Sequence, residues 1–264
     1  MRRLAVLGQP IGHSLSPAIH NAAFEKLGLG GEWRYEAIEV APDGFEALVQ
    51  ALPGRGFAGA NVTVPHKSAA LAVADELSEV VRETGAANTL AFEGGSIHAY
   101  NTDPDGFLGA LPEKPEGKRA LVLGAGGAAR AVVWALVRQG AEVGVWNRTP
   151  LRSQHLADDL GGAPVDAPEA GDYELIVNST SVGLGGEDPF AELPLSPGDL
   201  RAGQTVVDLV YGRGPSKLLA AAADAGATTV DGVEILVRQG ATAFEIWTGR
   251  EAPLEAMRAA ARSA

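Results

Sequence analysis

Short uninterrupted apolar runs alternate along this chain with segments of helical periodicity, and glycine, proline and small polar residues separate them. That is the pattern of buried parallel strands joined by helices. Leu4-Ala5-Val6-Leu7 is the first such run, ended by Gly8-Gln9-Pro10. In the loop that follows, Ser16 suits an N-cap and Pro17 a first helical residue, which predicts a helix to about Leu27. Residues 33–39 alternate like a strand, and Phe45, Leu48, Val49 and Leu52 recur at helical spacing. Residues 57–67 read as a small-residue strand running into a proline-started helix, so Asn61, Thr63 and Lys67 gather at a strand's carboxyl end. Open α/β sheets bind their ligands there. Residues 86–92 and 96–101 flank Glu93-Gly94-Gly95, a hairpin signature.

Around residues 112–118 the apolar periodicity gives way to prolines and charges, which places a domain boundary nearby. Beyond it, Leu121-Val122-Leu123 breaks into Gly124-Ala125-Gly126-Gly127-Ala128-Ala129, predicting strand, tight turn and a helix over 128–139. The spacing G-x-G-x-x-A fits a dinucleotide loop, with Gly124 for the turn, Gly126 for backbone approach to a pyrophosphate and Ala129 for close helix–strand packing. A further strand, residues 142–146, ends in Asn147-Arg148-Thr149. An acidic residue there would bond a ribose 2′-hydroxyl, whereas Arg148, with Arg152 on the next helix, suits the 2′-phosphate of NADP. Residues 175–178 and 205–210 read as buried strands, each followed by a polar loop, 178–183 and 211–214, placed to line the nicotinamide half of a crevice. Residues 231–248 and 253–262 look helical. The repeated strand–helix order makes the fold class α/β, with a mostly parallel sheet.

Composition narrows the chemistry. Against 33 acidic residues stand 21 basic ones, a net charge of −12, which disfavours nucleic acid as a partner. The chain has no cysteine, so disulfides, thiolate nucleophiles and cysteine zinc sites are excluded. No metal-ligand spacing is present. The basic and then apolar amino terminus ends too soon for a signal peptide, and no apolar stretch approaches the ~18 residues that span a bilayer. A soluble cytoplasmic protein with a small-molecule substrate and no membrane partner is expected. The sequence does not indicate an oligomeric state.

Several polar residues have both a structural and a chemical explanation. Ser14 is left over by the capping scheme and either steadies the turn or meets a ligand. Asp103 before Pro104 is well placed to cap a helix, yet a carboxylate there can also serve catalysis. Lys67 in a first helical turn lies where the helix dipole disfavours a cation, which marks it as a functional candidate rather than a solvated lysine. His66 beside a turn is expected to satisfy local hydrogen bonds.

Taken together, Ser14-Leu15-Ser16-Pro17, Asn61-Val62-Thr63-Val64-Pro65-His66-Lys67, Asn88-Thr89, Asn101-Thr102-Asp103, Gly124-Ala125-Gly126-Gly127-Ala128, Asn147-Arg148-Thr149 and Gln239-Gly240-Ala241 resemble the shikimate dehydrogenase family nearly end to end. The resemblance implies a substrate-binding and catalytic α/β domain over 1–103 and a Rossmann-like NADP domain over 104–237. It also implies a helical segment over 238–264 returning to the first domain, with the active cleft between the domains. It implies NADP-dependent, reversible reduction of 3-dehydroshikimate to shikimate in aromatic amino-acid biosynthesis. Lys67 and Asp103 match the family's catalytic pair. Ser14, Ser16, Asn61, Thr63, Asn88, Tyr211 and Gln239 match its substrate-binding groups, together with Lys67 and Asp103. Gly124, Ala125, Gly126, Gly127 and Ala128 match its pyrophosphate loop, and Asn147, Arg148, Thr149 and Arg152 its 2′-phosphate clamp. Leu209 and Gly232 match positions that lie near the nicotinamide in the family. Ile235 stands where many relatives carry methionine, and the glycine-rich segment after Tyr211 departs from a common Tyr-x-Pro arrangement. Two alternatives stay open. A quinate/shikimate paralogue of looser choice is disfavoured by Arg148 and Ser16, and a non-catalytic NADP-binding sensor would need neither Lys67 nor Asp103.

Overall fold

The apolar runs are strands of two six-stranded sheets, each in its own structural unit. The computed structural model describes residues 1–212 and 214–264. One unit comprises Met1–Gly106 and Leu236–Ala264, the other Phe107–Ile235.

In the first unit the chain runs β1 (Arg2–Gly8), α1 (Ser16–Lys26), β2 (Trp33–Glu39), α2 (Phe45–Ala51), β3 (Phe57–Val62), β4 (Glu76–Leu77), α3 (Glu79–Thr84), β5 (Thr89–Glu93), β6 (Ser96–Tyr100) and α4 (Asp103–Ala110). The sheet order is β2-β1-β3-β5-β6-β4. β2, β1 and β3 are parallel, and β5 and β6 form an antiparallel hairpin whose turn, Gly94-Gly95, takes positive φ at both residues. Glycine meets that requirement without a Cβ clash. Ala5 and Leu7 of β1 join Phe45 and Val49 of α2, and Leu52 just past its end, in one core. Leu4 and Val6, pointing the other way, are equally buried.

The second unit continues with β7 (Arg119–Leu123), α5 (Gly127–Arg138), β8 (Glu142–Trp146), α6 (Pro150–Leu160), β9 (Ala163–Pro164), β10 (Leu175–Asn178), α7 (Pro189–Glu192), β11 (Thr205–Asp208), α8 (Lys217–Asp224), β12 (Thr228–Asp231) and the start of α9 (Gly232–Thr248). All its strand pairings are parallel, in the order β12-β11-β10-β7-β8-β9. This is the doubly wound dinucleotide-binding order, with its switch point between β7 and β10.

α9 and α10 (Leu254–Ser263) bring residues 236–264 back to the first unit. The Trp247 indole donates to the Leu90 carbonyl at 2.9 Å, across Gly59 of β3. A Cβ on Gly59 would lie 2.2 Å from the indole nitrogen, so only glycine leaves room for that bond. His20 of α1 is fully buried there, stacked on Tyr35 at 4.3 Å and close to Phe244 and Trp247. No helix among the described residues is long and apolar enough to cross a membrane.

Several local expectations are corrected. Ser16 is not the cap of α1: Leu15 holds that position, and Ser14 Oγ accepts the Ser16 amide at 3.3 Å. No helix starts at Pro65. Residues 63–66 close a turn through His66 N–H to the Thr63 carbonyl at 2.8 Å, and a short 3-10 turn follows only at Ala69–Leu71. Lys67 therefore does not sit in a first helical turn. The unit boundaries fall inside α4 and α9, where Gly106 packs against Gln239 while Phe107 and Ile235 enter the second core. The strand expected over 205–210 ends at Asp208, and Thr228–Asp231 is a strand that its polar threonines concealed.

Candidate active site

β1 and β3 run side by side, and Gly8 at the end of β1 lets the following turn close over it. A Cβ on Gly8 would stand 2.5 Å from Thr63 Cγ2. His66 holds that turn from below, stacked on Phe45 at 4.5 Å with Nε2 2.8 Å from the Val40 carbonyl oxygen. Lys67 comes next, its carbonyl accepting from Ala87 N–H at 2.9 Å. Its ammonium lies 2.5 Å from Asp103 Oδ2, and the two side chains are only 14% and 17% exposed. Asp103 begins α4, but its carboxylate is not spent as a cap: Oδ2 meets Lys67 and Oδ1 accepts from Asn88 Nδ2 at 2.8 Å.

Asn88 is the hub of this group. Its amide nitrogen also lies 2.9 Å from Thr102 Oγ1 and 3.2 Å from Gln239 Oε1. Its oxygen accepts from Thr102 N–H at 2.8 Å and from the Thr89 hydroxyl at 2.9 Å. One layer deeper, Asn61 donates to the Asn88 carbonyl and to Thr89 Oγ1, and accepts from the Tyr35 hydroxyl at 2.6 Å. Both amide hydrogens of Asn61 are thus used within the fold, and the residue is buried. Gln239 reaches the hub because α9 approaches α4 closely at Gly106, where a Cβ would stand 2.6 Å from Gln239 Cβ. Ser14, Ser16 and Thr63 make no hydrogen bond to this group among the described residues. The Ser16 hydroxyl, freed from capping, has no internal partner there.

Sequence reasoning missed Tyr35, Thr102 and Gly106, whose parts depend on contacts distant along the chain. The asparagine-threonine-aspartate run was the one available signal for Thr102.

In the second unit the glycine loop leaves β7 at the switch point. Gly124 has φ +114°, and a Cβ on it would stand 2.8 Å from Ser179 Oγ, so both backbone and space require glycine. Gly126 faces open space, and α5 begins on it without a side-chain cap. Helix N–H groups left without such a cap suit a phosphate. After β8, Asn147 Nδ2 bonds the Thr149 carbonyl at 3.0 Å. Arg148, Thr149 and Arg152 are exposed, and neither arginine pairs with an acidic group among the described residues. α6 carries no acidic residue in its first turn either. This donor set fits a dinucleotide bearing a 2′-phosphate. Leu209 follows β11, and Gly232 starts α9 so close that a Cβ on it would lie 2.5 Å from the Leu209 carbonyl oxygen. Tyr211 is half-buried in the next loop, and Arg213 of that loop lies outside the described residues.

Residues 6–90 match the family model described as shikimate dehydrogenase substrate binding domain. Residues 110–182 match shikimate / quinate 5-dehydrogenase, and residues 232–262 match the shikimate 5′-dehydrogenase C-terminal domain. The NADP(+) shikimate dehydrogenase of Methanopyrus kandleri is 43% identical, over 97% of this chain and 93% of its own length. The chain belongs to the shikimate dehydrogenase family. Among solved structures, shikimate dehydrogenase from Aquifex aeolicus superposes with a TM-score of 0.93 at 38% identity, covering 99% of this chain and 98% of that one. Shikimate 5-dehydrogenase from Thermus thermophilus, in complex with NADP(H) and shikimate, gives 0.91 at 42% identity, covering 100% and 99%. Within the shikimate dehydrogenase segments, Lys67 and Asn88 fall in the first match, Gly124 and Arg148 in the second and Gln239 in the third, while Asp103 and Tyr211 lie between matches.

Proposed function

We propose that this chain is a cytoplasmic NADP-dependent shikimate dehydrogenase that interconverts 3-dehydroshikimate and shikimate. The observation that carries it is the Lys67–Asp103 pair on the Asn88 hub, in the unit whose sequence matches the substrate binding domain. Bound NADPH supplies the hydride that reduces the ketone carbon, and NADP takes it back in the reverse direction. The carbonyl oxygen then needs one proton. The Lys67 ammonium donates it during reduction, and the neutral amine accepts it during oxidation. Before transfer, the ammonium stabilises negative charge growing on that oxygen. Asp103 fixes the lysine by the ion pair, and Asn88 fixes Asp103 in turn. Accurate placement of the proton donor matters because a small displacement of a reacting group is costly in rate. Ser14, Ser16, Thr63, Tyr211 and Gln239 bind the ring hydroxyls and carboxylate, and Asn88 and Asp103 meet the ring as well. Asn61 supports that pocket from behind, since its amide hydrogens are already engaged.

Gly124 to Ala128 cradle the pyrophosphate, Asn147, Arg148, Thr149 and Arg152 hold the 2′-phosphate, and Leu209 and Gly232 border the nicotinamide. Following nicotinamide absorbance with shikimate and with quinate, each paired with NADP and with NAD, tests the function directly. Shikimate with NADP should be the fastest pair, and no absorbance change in any pair refutes it. Lys67→Ala should lower turnover by about 10² or more while NADP affinity stays near wild type. A fully active Lys67→Ala enzyme would defeat the assignment of the proton donor.

A further inference from the structure

The second unit buries a carboxylate that the chemistry above does not use. Asp208 ends β11 and is 1% exposed. No cation pairs with it among the described residues. Its Oδ1 accepts from Asn178 Nδ2 at 2.9 Å and from Val210 N–H at 3.1 Å, and its Oδ2 accepts from the Ser216 hydroxyl at 2.6 Å. Burial pushes its carboxyl up from the usual aspartate range, and these three donors pull it back only in part. The donors come from three places: the end of β10, the loop leaving β11 and the N-cap of α8. Ser216 does double duty, since its oxygen also accepts Leu219 N–H at 3.2 Å. Asn178 extends the group by donating to the Val182 carbonyl and accepting from Thr180.

We propose that Asp208 is a positioning residue: it ties the ends of β10 and β11 to the start of α8 through Asn178, Val210 and Ser216, and so sets where Tyr211, next to Val210, stands. The backbone geometry points the same way. Leu209 N–H is held by the Asn178 carbonyl at 2.9 Å, and the Leu209 carbonyl is backed by Gly232. Leu209 and Val210 are therefore fastened by Asp208 and its neighbours, and Ser216 by its own bond to Asp208. A carboxylate suits the place because every group converging on it is a donor. An amide would turn an N–H₂ toward one of them. The role rests on Tyr211 being a substrate-binding group, as assigned above.

The test combines Asp208→Asn, Ser216→Ala and Tyr211→Phe. Asp208→Asn should raise the KM for shikimate about tenfold, with a smaller change in kcat, because substrate placement is lost rather than proton transfer. NADPH affinity, read by fluorescence, should fall clearly less than shikimate affinity, since the glycine loop and Arg148 are untouched and only Leu209 of the loosened segment borders the nicotinamide. The Asp208→Asn/Tyr211→Phe double variant should be no worse than the weaker single variant, the mark of two residues acting through one interaction. Amide hydrogen exchange should quicken over 209–216 in both Asp208→Asn and Ser216→Ala, while β7 and β10 keep their protection. Multiplying effects in the double variant, equal losses of shikimate and NADPH affinity, or unchanged exchange over 209–216 would each overturn the proposal. Should the wild-type chain not oxidise shikimate, the assigned activity falls, and the exchange measurement still decides whether Asp208 fixes the loop.

Discussion

Replacing His20 by phenylalanine should remove one component of this protein's acid sensitivity. The imidazole is fully buried against Tyr35, Phe244 and Trp247, and neither ring nitrogen has a hydrogen-bond partner among the described residues. That burial lowers its pKa from 6.5 to about 3, with the nearby Asn61 side chain partly opposing the shift. In the unfolded chain the group titrates normally. Below pH 6.5 the unfolded state takes up a proton that the folded state refuses, so stability is present above 6.5 and is lost as pH falls. At pH 5 the linkage relation gives a loss of about 2 kcal/mol relative to pH 8. The figure depends on the folded pKa only in that it lies well below 5. Phenylalanine keeps a ring against Tyr35 and cannot titrate. Any packing strain it adds, about 1–3 kcal/mol, is independent of pH. Urea unfolding of wild type and His20→Phe between pH 8 and 5, at constant ionic strength, gives the difference in stability at each pH. Other titrating groups cancel in that difference. It should move in the variant's favour by about 2 kcal/mol across the range. Parallel curves would show that His20 is protonated in the fold, or reaches water.

Arg148→Ala should weaken NADP binding by about 2 kcal/mol, roughly thirtyfold, with little change for NAD. Equal losses for the two cofactors, measured by titration calorimetry, would tell against a 2′-phosphate contact. Gly106→Ala places a methyl group 2.6 Å from Gln239 Cβ. It should cost about 1–3 kcal/mol of stability by thermal unfolding and raise the KM for shikimate, because Gln239 is pushed off Asn88.

The doubly wound sheet was legible because its signals are local. An apolar run followed by glycines announces β7 and α5, and an arginine past the end of β8 announces its own exposure. Lys67, Asp103, Asn88 and Gln239 were named from motifs, but the bonds joining them could not be, since Gln239 meets Asn88 only through the glycine contact between α4 and α9. Local logic also misled. Ser16 and Asp103 each stand one residue before a proline and look like caps, yet the N-cap position of α1 falls to Leu15, which makes no side-chain cap, and the Asp103 carboxylate turns to Lys67. A competing long-range partner decides such cases, and single-sequence spacing carries no trace of it. Asp208 escaped notice because a carboxylate closing a strand reads as a surface residue until three donors surround it.

The seam at Gly59 has a consequence for how the chain matures. Residues 107–235 are contiguous and can close their sheet as soon as they leave the ribosome. The first unit needs Trp247 over Gly59 and Gln239 beside Asn88, both of which follow residues 107–235 in the chain. Completion of the Lys67 neighbourhood is thereby reserved for a polypeptide that has been synthesised past residue 247.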